Sequence, residues 1–264
     1  MNIVLHELKA YRKSIIIWAC SMTLLAVLYI FLFKGLGHDI ENFKAFLNNM
    51  PDVIKKSFNI FIDSISTLEG FYSFVFSFVV LCGAIQAMNL GTAIVSKEMR
   101  DRTADFLMTK PVSRSYIMTS KLIAAFSALV MTNIIYLGLT VSAAVALVGT
   151  FNLKVFFMIS VTMFFVQLIF MALGVLISVM AGRIKSVISV SLSTVFGFYI
   201  LGSLGSFLGE EKVRYFSPFR YFDTAYIIKH AAYEVSFVVI GIVFIIAAIA
   251  GSYLVYLKKD IHVA

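Results

Sequence analysis

Residues 122–148 read LIAAFSALVMTNIIYLGLTVSAAVALV, 27 positions without an Asp, Glu, Lys or Arg. A helix needs about 20 such residues to cross the hydrocarbon core of a bilayer. Five further uncharged runs of comparable length lie on either side, over 15–33, 71–95, 155–181, 187–208 and 235–257. The whole chain of 264 residues is 61% hydrophobic and only 14% charged, too little polar surface to coat a water-soluble globule of that size. The spacing of these runs predicts an all-α integral membrane protein with six transmembrane helices. The run at 15–33 follows Lys9, Arg12 and Lys13, as a signal peptide would. It is longer than a usual signal core, and Phe33-Lys34-Gly35 offers no small-residue cleavage pattern, so a retained span is expected.

With an even number of spans, both termini share a side. That side holds thirteen basic residues against five acids, while the other side holds nine of each, so the formal excess of +8 sits on one face. Basic residues beside spans are retained in the cytoplasm, which places the termini and the 96–121 connection there. The high positive charge is thus accounted for by topology. Nucleic-acid binding is not expected, because no basic, aromatic-interleaved soluble domain exists to carry it. Cys20 and Cys82 both fall inside spans, where small apolar packing is the expected role.

The connections are uneven. Before the first span, Val4, Leu5, Leu8 and Tyr11 recur at helical spacing with His6, Lys9 and Lys13 elsewhere on the wheel, the pattern of an amphipathic helix lying in the membrane interface over residues 1–14. Residues 34–70 carry Ile40, Phe43, Phe46 and Leu47, then Val53, Ile54, Phe58, Phe61 and Ile62, which predict one or two short outer helices. The connection around Gly149 to Lys154 is only a hairpin turn. Residues 215–226, YFSPFRYFDTAY, are half aromatic and suit the headgroup layer or a segment that dips back into the membrane.

The stretch SKEMRDRTADFLMTKPVSRSY, residues 96–116, stands apart by mixing acids with bases. As a helix begun by a Ser96 cap, 97–109 puts Met99, Thr103, Phe106 and Leu107 on one side and Glu98, Asp101, Arg102 and Asp105 on the other. Pairs such as Lys97 with Asp101 and Glu98 with Arg102 add only about 0.2–0.5 kcal/mol each. Pro111 ends that helix, and Ser113 can cap another that runs through Arg114, Tyr116 and Lys121 into the next span. A plain connector needs far fewer residues, as 182–186 shows. A solvated positive-inside loop would account for the bases but not for the acids or the apolar side.

The run Glu98, Arg102-Thr103, Phe106-Leu107, Lys110-Pro111-Val112-Ser113-Arg114 and Lys121 resembles the coupling-helix region of type-2 ABC transporter permeases, and SPFRYFD before the last span resembles a second motif of that family. The departure is Arg102, where many members have glycine. The resemblance implies a six-span half-transporter with a cytoplasmic coupling helix and short extracellular helices. Two subunits, a homodimer or a paralogous heterodimer, would pair within membrane lipid of the bacterial plasma membrane. A cytoplasmic ABC ATPase would seat on Glu98, Asp101, Arg102, Thr103, Asp105, Phe106, Leu107, Pro111, Ser113, Arg114 and Lys121. ATP and Mg belong to that partner, since this chain has no G-x-x-x-x-G-K-[ST] loop and is expected to need no cofactor or metal of its own.

Few polar groups lie in the spans. Gln86, Asn89, Asn133 and Gln167 are expected either to hydrogen-bond between helices or to line a substrate path. No ionisable residue is there to build a proton relay. Glu210-Glu211 before Arg214 lacks the histidine partner of an intramembrane protease, and the four histidines show no ligand spacing. The expected function is export of an amphipathic, peptide or lipid-like substrate. The alternative is a non-transporting polytopic scaffold or sensor subunit, which would work without nucleotide.

Overall fold

A computed structural model describes residues 3–51, 55, 64–100, 112–181, 184–208 and 211–258. Among these, eight α-helices and three short 3-10 turns account for nearly all of the chain, and no strand occurs. The helices are α1 (Ile3–Gly35), α2 (Ile40–Asn48), α3 (Leu68–Arg100), α4 (Arg114–Leu147), α5 (Leu153–Met180), α6 (Val187–Leu208), α7 (Thr224–His230) and α8 (Val235–Lys258). Six of them, all but α2 and α7, are long and apolar enough to cross a membrane. Each coincides with one of the uncharged runs, α4 and α5 ending one residue short of theirs. A lipid-embedded backbone must satisfy its own N–H and C=O groups, which is why such runs become helices.

α3 and α5 form the centre of the bundle. Apolar burial cannot drive association inside lipid, so close packing must, and small residues permit it. Gly91 and Gly174 mark the closest approach: a Cβ at Gly91 would stand 2.3 Å from the Met171 carbonyl oxygen, and one at Gly174 2.7 Å from that of Met88. α1 lies along α4 and also touches α3. α6 and α8 are peripheral, with most of their surface outside the described contacts. The connection between α4 and α5 is short, turning at Gly149 (φ +81°), with Asn152 capping α5 through its Oδ1, which accepts from the Val155 N–H at 3.2 Å.

Two expectations meet a different structure. The N-terminal stretch runs into the first span as one 33-residue helix, about 50 Å long. Val4, Leu8 and Tyr11 pack against the protein core, not outward, and only Leu5 of the four is exposed. Cys20 is exposed on α1, because the inner face there belongs to Ala19, Met22 and Ala26. Of the outer helices predicted at 34–70, α2 is present with Leu47 buried and Phe43 against Phe71. Val53, Ile54, Phe58, Phe61 and Ile62 lie outside the described residues.

Candidate coupling end and polar interior

Four helix ends are tied together where α3 stops and α4 starts. Ser113 holds extended geometry (φ −70°, ψ 150°), and its Oγ accepts the Tyr116 N–H at 3.2 Å, so the hydroxyl caps α4 at the first residue, Arg114. Two turns on, Lys121 is 2% exposed and its Nζ donates to the Ile94 carbonyl of α3 at 2.5 Å. Lys97 pairs with Glu7 of α1 at 3.6 Å, Glu7 being nearly buried. Thr119 shares a 2.7 Å hydrogen bond with the Tyr253 hydroxyl of α8.

Ser96 is not a helix cap. α3 continues through it to Arg100, and its buried hydroxyl donates to the Thr92 carbonyl at 2.7 Å, the back-bond that a mid-helix serine makes when no free N–H is within reach. Glu98 occupies the last turn of α3. Asp101, Arg102, Thr103, Asp105, Phe106, Leu107 and Pro111 lie outside the described residues. The partner of Lys97 that the structure shows is thus Glu7, on a different helix. Glu7 was missed, although on the helical wheel it lies about 40° from Tyr11 and about 60° from Val4, an acid at the edge of the apolar face.

Deeper in the bundle, three of the four intramembrane amides meet. Gln86 Nε2 donates to Thr132 Oγ1 at 2.9 Å, Gln167 Nε2 donates to Gln86 Oε1 at 3.1 Å, and Asn133 Nδ2 donates to Gln167 Oε1 at 2.6 Å and to the Leu129 carbonyl at 2.8 Å. The chain of bonds joins α3, α4 and α5. Asn89 is half-buried and stands apart from it. Nearer the distal end, opposite the termini, the buried hydroxyls of Tyr72, Tyr136 and Ser160 join the same three helices, at 2.5 Å and 2.9 Å from Tyr72. Sequence inspection had not singled these out.

The aromatic segment before α8 folds back into the bundle. Ser217 is fully buried and donates to the Phe198 carbonyl at 2.9 Å, ten residues from the end of α6 and so about 15 Å along it. Phe219 lies 5.1 Å from Phe170, and Phe222 stacks on Phe165 at 5.4 Å. Arg214 holds the loop together: Nη2 donates to Glu234 at 2.7 Å, Nε donates to the Arg220 carbonyl at 2.8 Å, and its guanidinium sits 3.9 Å over the Phe237 ring. Asp223 caps α7 by accepting from the Ala225 N–H at 2.9 Å. Burial pushes the Arg220 guanidinium below its ordinary pKa, with Asp223 opposing the shift and Arg214 adding to it. Burial also pushes Tyr233, whose hydroxyl donates to the Met158 carbonyl, up to about 12.

Among the described residues, no group of three or more His, Cys, Asp and Glu gathers to hold a metal. Six helices long and apolar enough to cross a membrane, packed around an interior joined by amides and hydroxyls, make this a multi-pass membrane protein. A family model described as ABC-2 family transporter protein matches residues 1–261, and the chain belongs to that family. It is therefore the membrane permease component of an ABC transporter. No match is found among curated proteins.

Proposed function

We propose that this permease is an exporter half-transporter whose transport is driven by a separate cytoplasmic ABC ATPase docked on residues 97–114, with a second permease subunit completing the pathway. The observation that carries it is the tie between Lys121 and Ile94, which joins the two helices flanking that segment. A displacement applied between them is passed to both spans, and a two-state element biased by nucleotide is what coupling requires. Family membership supports the ATPase and the paired arrangement. The excess of basic residues beside the termini supports a cytoplasmic location for this end, in a bacterial plasma membrane. The lack of Asp, Glu, Lys and Arg in the six uncharged runs, with Glu7 and Lys121 confined to the helix ends beside the termini, favours an amphipathic or lipid-like substrate over a small ion. Affinity purification of the chain from its own cells in mild detergent, with mass spectrometry of what accompanies it, tests this. A stoichiometric Walker-containing ATPase is expected, and a partner-free chain would favour the scaffold or sensor alternative.

A further inference from the structure

The first turns of α1 carry two faces of opposite chemistry. Val4, Leu8 and Tyr11 pack against the protein core, and Glu7 lies buried beside them, paired with Lys97. The apolar face that sequence spacing assigned to the membrane interface is therefore occupied by the protein itself. What the helix turns outward is basic: Lys9, Arg12 and Lys13 are all exposed. On the helical wheel Lys9 stands about 160° from Glu7, with Arg12 about 60° to one side of it and Lys13 about 40° to the other.

None of these three side chains makes an ion pair or hydrogen bond among the described residues. Glu7 is the one acid of α1, and it is on the opposite face with a partner of its own. Three uncompensated charges thus lie within about 6 Å along the helix axis, directly beside the start of the uncharged run. On the same side follow Ile16, Ile17, Cys20 and Leu24, all exposed and apolar. Cations followed by an apolar strip complement one molecule in both of its parts, a phospholipid with net negative charge. Its oxyanions meet the basic residues and its acyl chain lies along the strip. The guanidinium of Arg12 matches phosphate oxygens in geometry, and basic residues beside a span are drawn to anionic lipid. A protein partner would have to present acids and apolar side chains in this same order.

We propose that the outward face of α1 at the end carrying the termini is a binding site for an anionic phospholipid, with Lys9, Arg12 and Lys13 holding the headgroup and Ile16, Cys20 and Leu24 receiving the chain. The site belongs to this face of α1 and not to the basic end as a whole, so Lys185 and Lys258, exposed on other elements of the same end, do not contribute to it. It stands apart from the transport reading. Lipid binding is measured without any ATPase, so failure here and failure of the ATPase purification are separate results.

The test titrates the full chain, purified in a neutral detergent, with phosphatidylglycerol and with phosphatidylcholine of the same acyl chains, and reads lipid adducts by native mass spectrometry. Phosphatidylglycerol should bind about tenfold tighter than phosphatidylcholine. The combined variant Lys9→Gln, Arg12→Gln and Lys13→Gln should lose that preference, while phosphatidylcholine binding is unchanged. These side chains are exposed and Gln is a good helix former, so the variant should fold and insert normally. The control, Lys185→Gln with Lys258→Gln, should keep the full preference. Equal binding of the two lipids by the wild-type chain overturns the proposal, as does a preference that survives in the α1 variant or disappears in the control. A variant that keeps the lipid preference and instead loses a second permease subunit or an ATPase would assign this face to a protein contact and overturn it as well.

Discussion

Lys121 and Ile94, 27 residues apart in the chain, are joined by a hydrogen bond of 2.5 Å from the buried ammonium of one to the main-chain carbonyl of the other. A lysine is an expensive way to hold two helices together, since its charge must be brought out of water. Its reach gives a fixed distance between the end of α3 and the start of α4. Replacing it with methionine, which keeps the length and loses the donor, should leave membrane insertion and ATPase association in place. Transport per ATP hydrolysed should fall by about fivefold or more. Proteoliposomes holding the complete transporter give both rates; unchanged coupling would demote Lys121 to a packing residue.

The amide chain of Gln86, Gln167 and Asn133 makes a different prediction, because each amide NH2 group already donates to a protein acceptor, although the buried Asn133 Oδ1 has no hydrogen-bond partner among the described residues. Interhelical hydrogen bonds of this type average about 0.6 kcal/mol and reach about 1.7. Gln86→Ala and Asn133→Ala should therefore lower stability modestly and leave transport rates unchanged. A double-mutant cycle between Gln86 and Asn133 should be non-additive, since both act through Gln167. Changed cargo selectivity at full stability would instead make these amides part of the substrate path.

Close approach of α3 and α5 predicts unequal glycines. Gly91→Ala and Gly174→Ala each drive a methyl into a facing carbonyl, at 2.3 Å and 2.7 Å, with backbone that cannot yield cheaply. A cost of about 1–3 kcal/mol each is expected. Gly138→Ala meets nothing within 4 Å and should be neutral. Thermal unfolding followed by size-exclusion chromatography in detergent ranks the three; an equally stable Gly91→Ala would contradict the packing.

The same logic applies where the aromatic segment enters the bundle. A Cβ at Gly202 would stand 2.6 Å from Ser217 Oγ, so Gly202→Ala should displace the segment. Ser217→Ala removes only the bond to the Phe198 carbonyl, at about 0.5–1.5 kcal/mol. Limited proteolysis at 209–216 should rise in Gly202→Ala and stay close to wild type in Ser217→Ala.

The six spans were legible because lipid imposes one rule on composition over a long window: twenty residues without charge leave little choice of structure. The Ser113 cap was legible because it is local, a hydroxyl three residues from the N–H it accepts. Relationships between distant residues were not. Nothing near Lys97 points to Glu7, nothing near Arg214 points to Glu234 twenty residues on, and the Tyr72 to Tyr136 contact spans 64 residues. Ser96 misled because serine serves both as a cap and as a mid-helix back-bonder, and tertiary packing of α3 decides which. Glu7 leaves a local signal, an acid at the edge of the face formed by Val4, Leu8 and Tyr11, but that signal does not name its partner.

The central claim is that residues 97–114 receive the force of an ATPase. The most direct measurement is co-purification and ATP-driven transport of the Glu98→Ala and Phe106→Ala variants against wild type, at matched membrane levels. The account predicts normal insertion with loss of the ATPase, or an ATPase that hydrolyses without transport. Normal co-purification and normal transport in both variants would contradict it.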